Sequence, residues 1–171
     1  MENIQLTDLL PRMANELNFA PGSRIWVYIC NRELTDAEAQ FVEQQALAFC
    51  ENWTAHSQAL QASAEVFHKR VLLLLVDETR AGASGCSIDK SVHFLEDLGM
   101  AMKVDFFDRM QFAWVEGEGF RFGDRALLAQ ALAEGQIGDG TLMLNTLIAQ
   151  KDSFSEKWLL PWGKSWHKRL I

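Results

Sequence analysis

Hydrophobic and polar positions along this chain follow two periods, and their order predicts an alternating set of strands and helices. Arg24 to Cys30 reads as a strand, with Ile25, Val27 and Ile29 on one face and Trp26, Tyr28 and Cys30 on the other. Both faces are apolar, so both should be covered. Val71 to Val76 is apolar on both faces in the same way. Ala62 to Phe67, before it, is more mixed. The turn between them would be His68-Lys69-Arg70, without the Gly or Asn that a tight hairpin favours. Met110 to Glu116 reads as a fourth strand, with Met110, Phe112 and Trp114 on one side and Gly117 and Gly119 ending it.

Helical spacing fills the intervals. Leu6, Leu9, Leu10, Met13 and Leu17 suggest a first helix, which Pro11 allows only from its own first turn onward. Thr35-Asp36-Ala37-Glu38 is a capping box opening a helix that runs to about Trp53. Its buried stripe would be Val42, Ala46, Phe49, Cys50 and Trp53. Another helix runs from about Ser87 or Asp89 to Met102, with Ile88, Val92, Leu95 and Met102 facing inward.

Strand, helix, strand, strand, helix, strand is the order of a ferredoxin-like βαββαβ unit, so the expected class is α+β. In that topology the first and third strands lie in the middle of the sheet, and here those two are apolar on both faces. Helices normally cover only one side of such a sheet. The second face then needs the C-terminal third, the N-terminal helix or a partner chain. We expect one domain over residues 1–171, with a core over about 24–117 and a C-terminal extension over about 120–171 packing on it. In that extension Asp124 can cap a helix ending at Gly135, and Thr141 to Ala149 suits a strand. Ser153-Phe154-Ser155-Glu156 has the form of a second capping box. Trp158, Trp162 and Trp166 recur every four residues, but Pro161 and Gly163 argue for an irregular aromatic clasp rather than a helix.

Composition sharpens this in one respect. The 171 residues carry a formal net charge of −7, and the six Trp stand against one Tyr. The charge is unevenly placed: residues 1–150 hold 11 basic and 21 acidic side chains, and residues 151–171 hold 5 and 2. An acidic body thus ends in a basic, Trp-rich tail. This balance argues against a broad nucleic-acid surface. The tail reads as packing back on its own domain, the alternative being a partner or anion site built by Lys164, His167, Lys168 and Arg169. The N-terminal residues lack the pattern of a signal peptide, and the longest apolar run, Val71 to Val76, is far short of a membrane span. The three cysteines, Cys30, Cys50 and Cys86, suit reduced thiols in a cytoplasmic protein.

Candidate chemistry gathers at Ser84-Gly85-Cys86-Ser87-Ile88-Asp89, a small-residue loop entering a helix. Free amides at a helix start attract anions and lower the pKa of a thiol there. Cys86 is therefore the candidate nucleophile, with His56 as base and Asp89 in support, and Ser84, Gly85, Ser87 and Arg109 are candidate ligand-binding residues. The plainer reading makes Ser87 or Asp89 a helix cap and Cys86 a packing residue. Arg109 can hold a carboxylate or phosphate, or pair with Asp105 or Asp108. Asn145, within an apolar segment, should satisfy backbone groups. The sequence lacks G-x-x-x-x-G-K-[ST], H-E-x-x-H, C-x-x-C and G-x-S-x-G. A P-loop ATPase and a zinc site are thus not supported, and no cofactor or metal is expected.

Four strings together, Trp53-x-x-His56, Ser84-Gly85-Cys86-Ser87-Ile88-Asp89, Asp105-x-Phe107-Asp108-Arg109-Met110 and Ser165-Trp166-x-x-Arg169, resemble a small uncharacterised bacterial family. Its members often carry an ABC-transporter ATPase label, and many have Gly where this chain has Ser57. The resemblance spans about Arg24 to Arg169 and implies functional positions rather than a reaction. The reading reached from the sequence is a non-catalytic binding or interaction protein, taking an anionic small molecule or pairing as a homodimer through its sheet. A thiol-dependent or acid/base enzyme at the Ser84–Asp89 loop is the alternative.

Overall fold

A computed structural model describes residues 6–171. Residues 1–5, part of the stretch read above as lacking a signal peptide, lie outside it. Two short 3-10 turns, Leu6–Leu9 and Arg12–Asn15, replace the expected first helix. Pro11 separates them, since it has no N–H to give and disfavours a helical residue before it. Leu17, counted on the helical stripe, is 95% exposed.

The chain then forms β1 (Arg24–Ile29), α1 (Asp36–Glu51), a small hairpin of β2 (Thr54–Ala55) and β3 (Gln58–Ala59), β4 (Gln61–Phe67) and β5 (Val71–Asp77). Next come α2 (Gly85–Met102), β6 (Gln111–Glu116), β7 (Gly119–Asp124), α3 (Arg125–Ala133) and β8 (Leu142–Leu144). A short α4 (Phe154–Lys157) and β9 (Leu159–Pro161) lead into 3-10 turns at Trp162–Lys164 and Trp166–Leu170.

The class is mixed α and β with antiparallel sheets. The first sheet has the order β1-β5-β4: the first and third long strands pair, but only the third lies in the middle, and β1, expected there too, is an edge strand because the fourth expected strand is not beside it. The fourth expected strand, β6, does not join it. It pairs with β7 and β8 in a second sheet of order β7-β6-β8-β9. In the second sheet both apolar faces of β6 are covered, Ala113 by the core between the sheets and Phe112 and Trp114 by α3 and Trp162.

The two sheets pack face to face. Ile25, Ile29, Val71, Leu73 and Leu75 from the first meet Ala113, Leu144, Phe120 and Phe122 from the second. Met13, Phe154 and Trp158 complete this core, and the Trp158 indole N–H donates to the Leu9 carbonyl at 2.9 Å. Beyond the first sheet lie α1 and α2, packed on Leu72, Leu74 and Ala64. Beyond the second lie α3, Ile137 and Trp162, packed on Phe112, Trp114 and Met143. The second face of the first sheet is thus covered by the C-terminal third and the N-terminal turns together.

Several local expectations stand with small changes. The Thr35 capping box forms with both hydrogen bonds. Asp124 caps α3 through the Leu127 amide, and Gly135 follows with φ of 71°. The hairpin β4–β5 forms without Gly because His68 and Lys69 accept positive φ, 49° and 54°. Its turn is held from outside: the Leu34 amide donates to the Lys69 carbonyl and the Cys30 amide to that of Arg70. The second capping box does not form. Ser153 is already helical and its side chain caps nothing, while Gln150, before the turn Lys151–Ser153, marks the true start.

Candidate functional site

Between β1, the start of α2 and the C-terminal tail lies a cleft of about 640 Å³. Its first wall is the outer edge of β1, from Trp26 to Ile29, and its second is Ile88 and Val92 of α2. The loop Phe106–Gln111 forms a third side, and Thr146, Leu147, Trp166 and Leu170 the fourth. Phe107, Met110 and Leu147 are among the few large apolar side chains left exposed, at 37%, 48% and 66%. Phe107 is fixed edge-on against Tyr28, with centroids 5.5 Å apart.

The cleft exists because the outer edge of β1, the one away from β5, is met by other chain segments only near its two ends. At one end Ile25 N–H donates to the Ala149 carbonyl at 3.0 Å, and Arg24 bridges to Gln150. At the other, Asn31 N–H donates to the Asp105 carbonyl at 3.2 Å, and Asp105 N–H donates to Asn31 Oδ1 at 2.9 Å. Between these ends the neighbouring chain leaves the strand, and Asn145 is the cause. Its backbone amide donates to Trp158 and its side-chain amide to Lys157, while its Oδ1 accepts from Leu147 N–H and Trp166 Nε1. One buried side chain therefore draws residues 145–147 toward β9 and seats Trp166 at the cleft.

The polar members of the lining are Tyr28, Asp108, Arg109, Gln111 and Thr146. Arg109 has no ion-pair partner among the described residues. The two expected partners are spent on their own backbone: Asp105 accepts from Phe107 N–H, and Asp108 from Met110 N–H and the Gln111 side chain. Burial pushes the Tyr28 phenol up to about 12, so it stays a hydroxyl donor at neutral pH.

The residues singled out in the sequence fall in three places. Ser84 and Ser87 are a capping box for α2, each side chain accepting from the other's backbone amide, at 3.2 and 2.7 Å. The helix consequently starts at Gly85, before the expected Ser87 or Asp89. The Ser87 carbonyl accepts from Trp53 Nε1 at 2.8 Å, tying the hairpin to the helix start. Cys86 and Asp89 are exposed on the first turns, and Gly85 is exposed beside them. His56 sits in the turn between β2 and β3 with φ of 49°, also exposed. No hydrogen bond joins Cys86, His56, Asp89 or Arg109 to one another among the described residues. Arg109 alone of the seven lies at the cleft.

The tail divides the same way. Trp158 and Trp162 are buried, as is His167, at 1% exposure. The Ser165 hydroxyl hydrogen-bonds His167 Nδ1, Trp166 stacks on the ring, and burial pushes its pKa down to about 4. His167 thus belongs to the packing and leaves the proposed anion set, while Lys164, Lys168 and Arg169 stay exposed. Cys30 and Cys50 are buried in the helix-side core, and burial raises both thiols, Cys50 to about 12. No group of metal-binding side chains occurs among the described residues, and no helix there is long and apolar enough to cross a membrane.

Sequence reasoning missed the cleft's apolar members. Tyr28 and Trp26 were assigned to a covered face, which holds for their packing toward α1 and α2 but not for the strand's edge. Phe107 and Met110, large apolar residues between charged ones in a loop, were the available signal. No family model, curated protein or solved structure matches this chain.

Proposed function

We propose that this chain is a non-catalytic binding protein whose site is the cleft along β1, and that its ligand is apolar with an anionic end. Arg109, without an ion-pair partner among the described residues and beside exposed Phe107 and Met110, carries this reading. A volume of about 640 Å³ is in the range of small-molecule sites, which are mostly apolar with a few fixed polar groups. Arg109 and Tyr28 are polar residues of this lining. We further infer a ferredoxin-like origin: β1, β5 and β4 with two helices follow that order, and the cleft occupies the place of the missing fourth strand. The reduced thiols favour a cytoplasmic setting.

Trp26 and Trp166 both line the cleft, so intrinsic fluorescence reports its occupancy. Titration with 1-anilinonaphthalene-8-sulfonate, an aromatic probe with one anion, is expected to shift the emission saturably. Arg109→Gln should weaken binding by about tenfold, as loss of one charge-assisted hydrogen bond does. Binding untouched by Arg109→Gln, or no binding, sinks the reading.

The exposed Cys86 on the first turn of α2 supports a second reading, a thiol-dependent enzyme at the Ser84–Asp89 loop. It requires Cys86 to alkylate faster at neutral pH than a free model thiol.

A further inference from the structure

The occupant of the cleft can be specified further, on the strength of the binding reading above. In an antiparallel ladder, alternate residues turn their backbone groups toward the neighbour and away from it. Ile25 directs its N–H away from β5, to Ala149, so Val27 and Ile29 direct theirs outward as well. Among the described residues no partner meets the outward amides of Val27 and Ile29. An open strand edge within an apolar cleft is a template for another strand. The opposite edge of the sheet is guarded: on β4 the Val66 amide donates to the Glu43 carboxylate of α1 at 2.8 Å.

The slot is short and stopped at both ends, by Ala149 and by Asp105. Six residue steps separate Ile25 from Asn31, or roughly 20 Å of strand. A chain passing through would meet one stop or the other, whereas a chain end fits. The lining holds one charge of each sign: Asp108 is bound by the Met110 amide and the Gln111 side chain, whereas exposed Arg109 has no carboxylate partner among the described residues and is left to pair with an anionic chain end. We propose that the edge of β1 takes the C-terminal residues of a partner polypeptide as an added strand, with Val27 and Ile29 pairing its backbone and Arg109 its terminal carboxylate.

The test is selection of the full chain against a phage-displayed library of random heptapeptides with free C-termini. The most enriched peptide is then made as the free acid and as the C-terminal amide. We expect the acid to bind at least tenfold tighter than the amide, and Arg109→Gln to erase that difference without changing the fold. N-methylation of alternate peptide residues should abolish binding in one register and spare it in the other. Val27 and Ile29 amides should gain hydrogen-exchange protection. Equal binding of acid and amide, or of an amidated peptide ending in Asp, would assign the slot to internal segments and overturn the proposal. So would a chain that sediments as a dimer with these two amides already protected, because a second copy would then hold the edge. If anilinonaphthalene sulfonate binds but no peptide is enriched, strand addition fails and the cleft reading survives; if neither binds, both fail.

Discussion

Ser57 has φ of 64° and His56 before it 49°, so both central residues of the β2–β3 turn are left-handed. A two-residue turn of this kind favours Gly at its second position, because a side chain there meets its own backbone. Ser57→Gly is expected to raise stability by about 0.5–1 kcal/mol, the gain from removing left-handed strain less the entropy glycine adds to the unfolded chain. Urea denaturation reads this as a higher midpoint at unchanged slope. A lower midpoint would mean that the Ser57 side chain contributes something its backbone does not show. Asn145 illustrates the residue scale from the other side. Its role as a satisfier of backbone groups was legible in the sequence, but which groups it meets was not, since Trp158, Lys157 and Trp166 come to it only through the fold.

Glu65 on β4 shows how an element depends on one side chain. It is 5% exposed, and its carboxylate accepts from the Arg12 and Met13 amides at 2.8 Å each, which start the turn Arg12–Asn15. Arg12 stands beside it and pairs with Glu43. Glu65→Gln retains the shape but offers one acceptor where two are used. We expect a loss of about 1–3 kcal/mol, with faster hydrogen exchange at Met13 before global unfolding. A loss confined to exposed β4 amides would contradict this. Elements with their own local signals were readable in advance: capping residues mark α1 and α3, and short runs apolar on both faces mark β1 and β5. The strand β7 was missed although Phe120 and Phe122 alternate with Arg121 and Gly123, because Gly117 and Gly119 before them read as punctuation. The first helix was over-read because apolar spacing survives a proline that the helix does not.

At the scale of the molecule, β5 is the hinge of the packing: Val71, Leu73 and Leu75 serve the core between the sheets, and Leu72 and Leu74 the core beneath the helices. Two apolar faces on one strand announced two covers. Nothing local said that one cover would be a second sheet, because pairing of β6 with β8 and of β8 with β9 joins residues far apart in sequence. The tail closes the outermost layer, and its buried His167 makes that closure sensitive to pH. Burial holds the imidazole neutral, with a folded pKa of about 4 against about 6.5 when unfolded. Between those values the unfolded chain binds a proton that the folded chain refuses. Its contribution is therefore full above about pH 6.5, falls as pH drops toward about 4, and is flat below, by at most about 1.4 kcal/mol per pH unit. The neighbours it is seen to touch, Ser165, Trp166 and Phe112, carry no charge that would offset this. Depressed carboxylates act lower on the scale. Glu38, drawn to about 2 by Arg32, and Asp77, held down by the Ala20 amide and by Thr79, lose their contributions only as pH falls below the ordinary carboxylate range. Denaturant midpoints measured from pH 7.5 to 4.5 should thus decline in the native chain and decline less in His167→Gln, whose midpoint at pH 7.5 starts lower. Parallel curves for the two proteins would show that His167 titrates freely, and that the tail is not sealed as its packing implies.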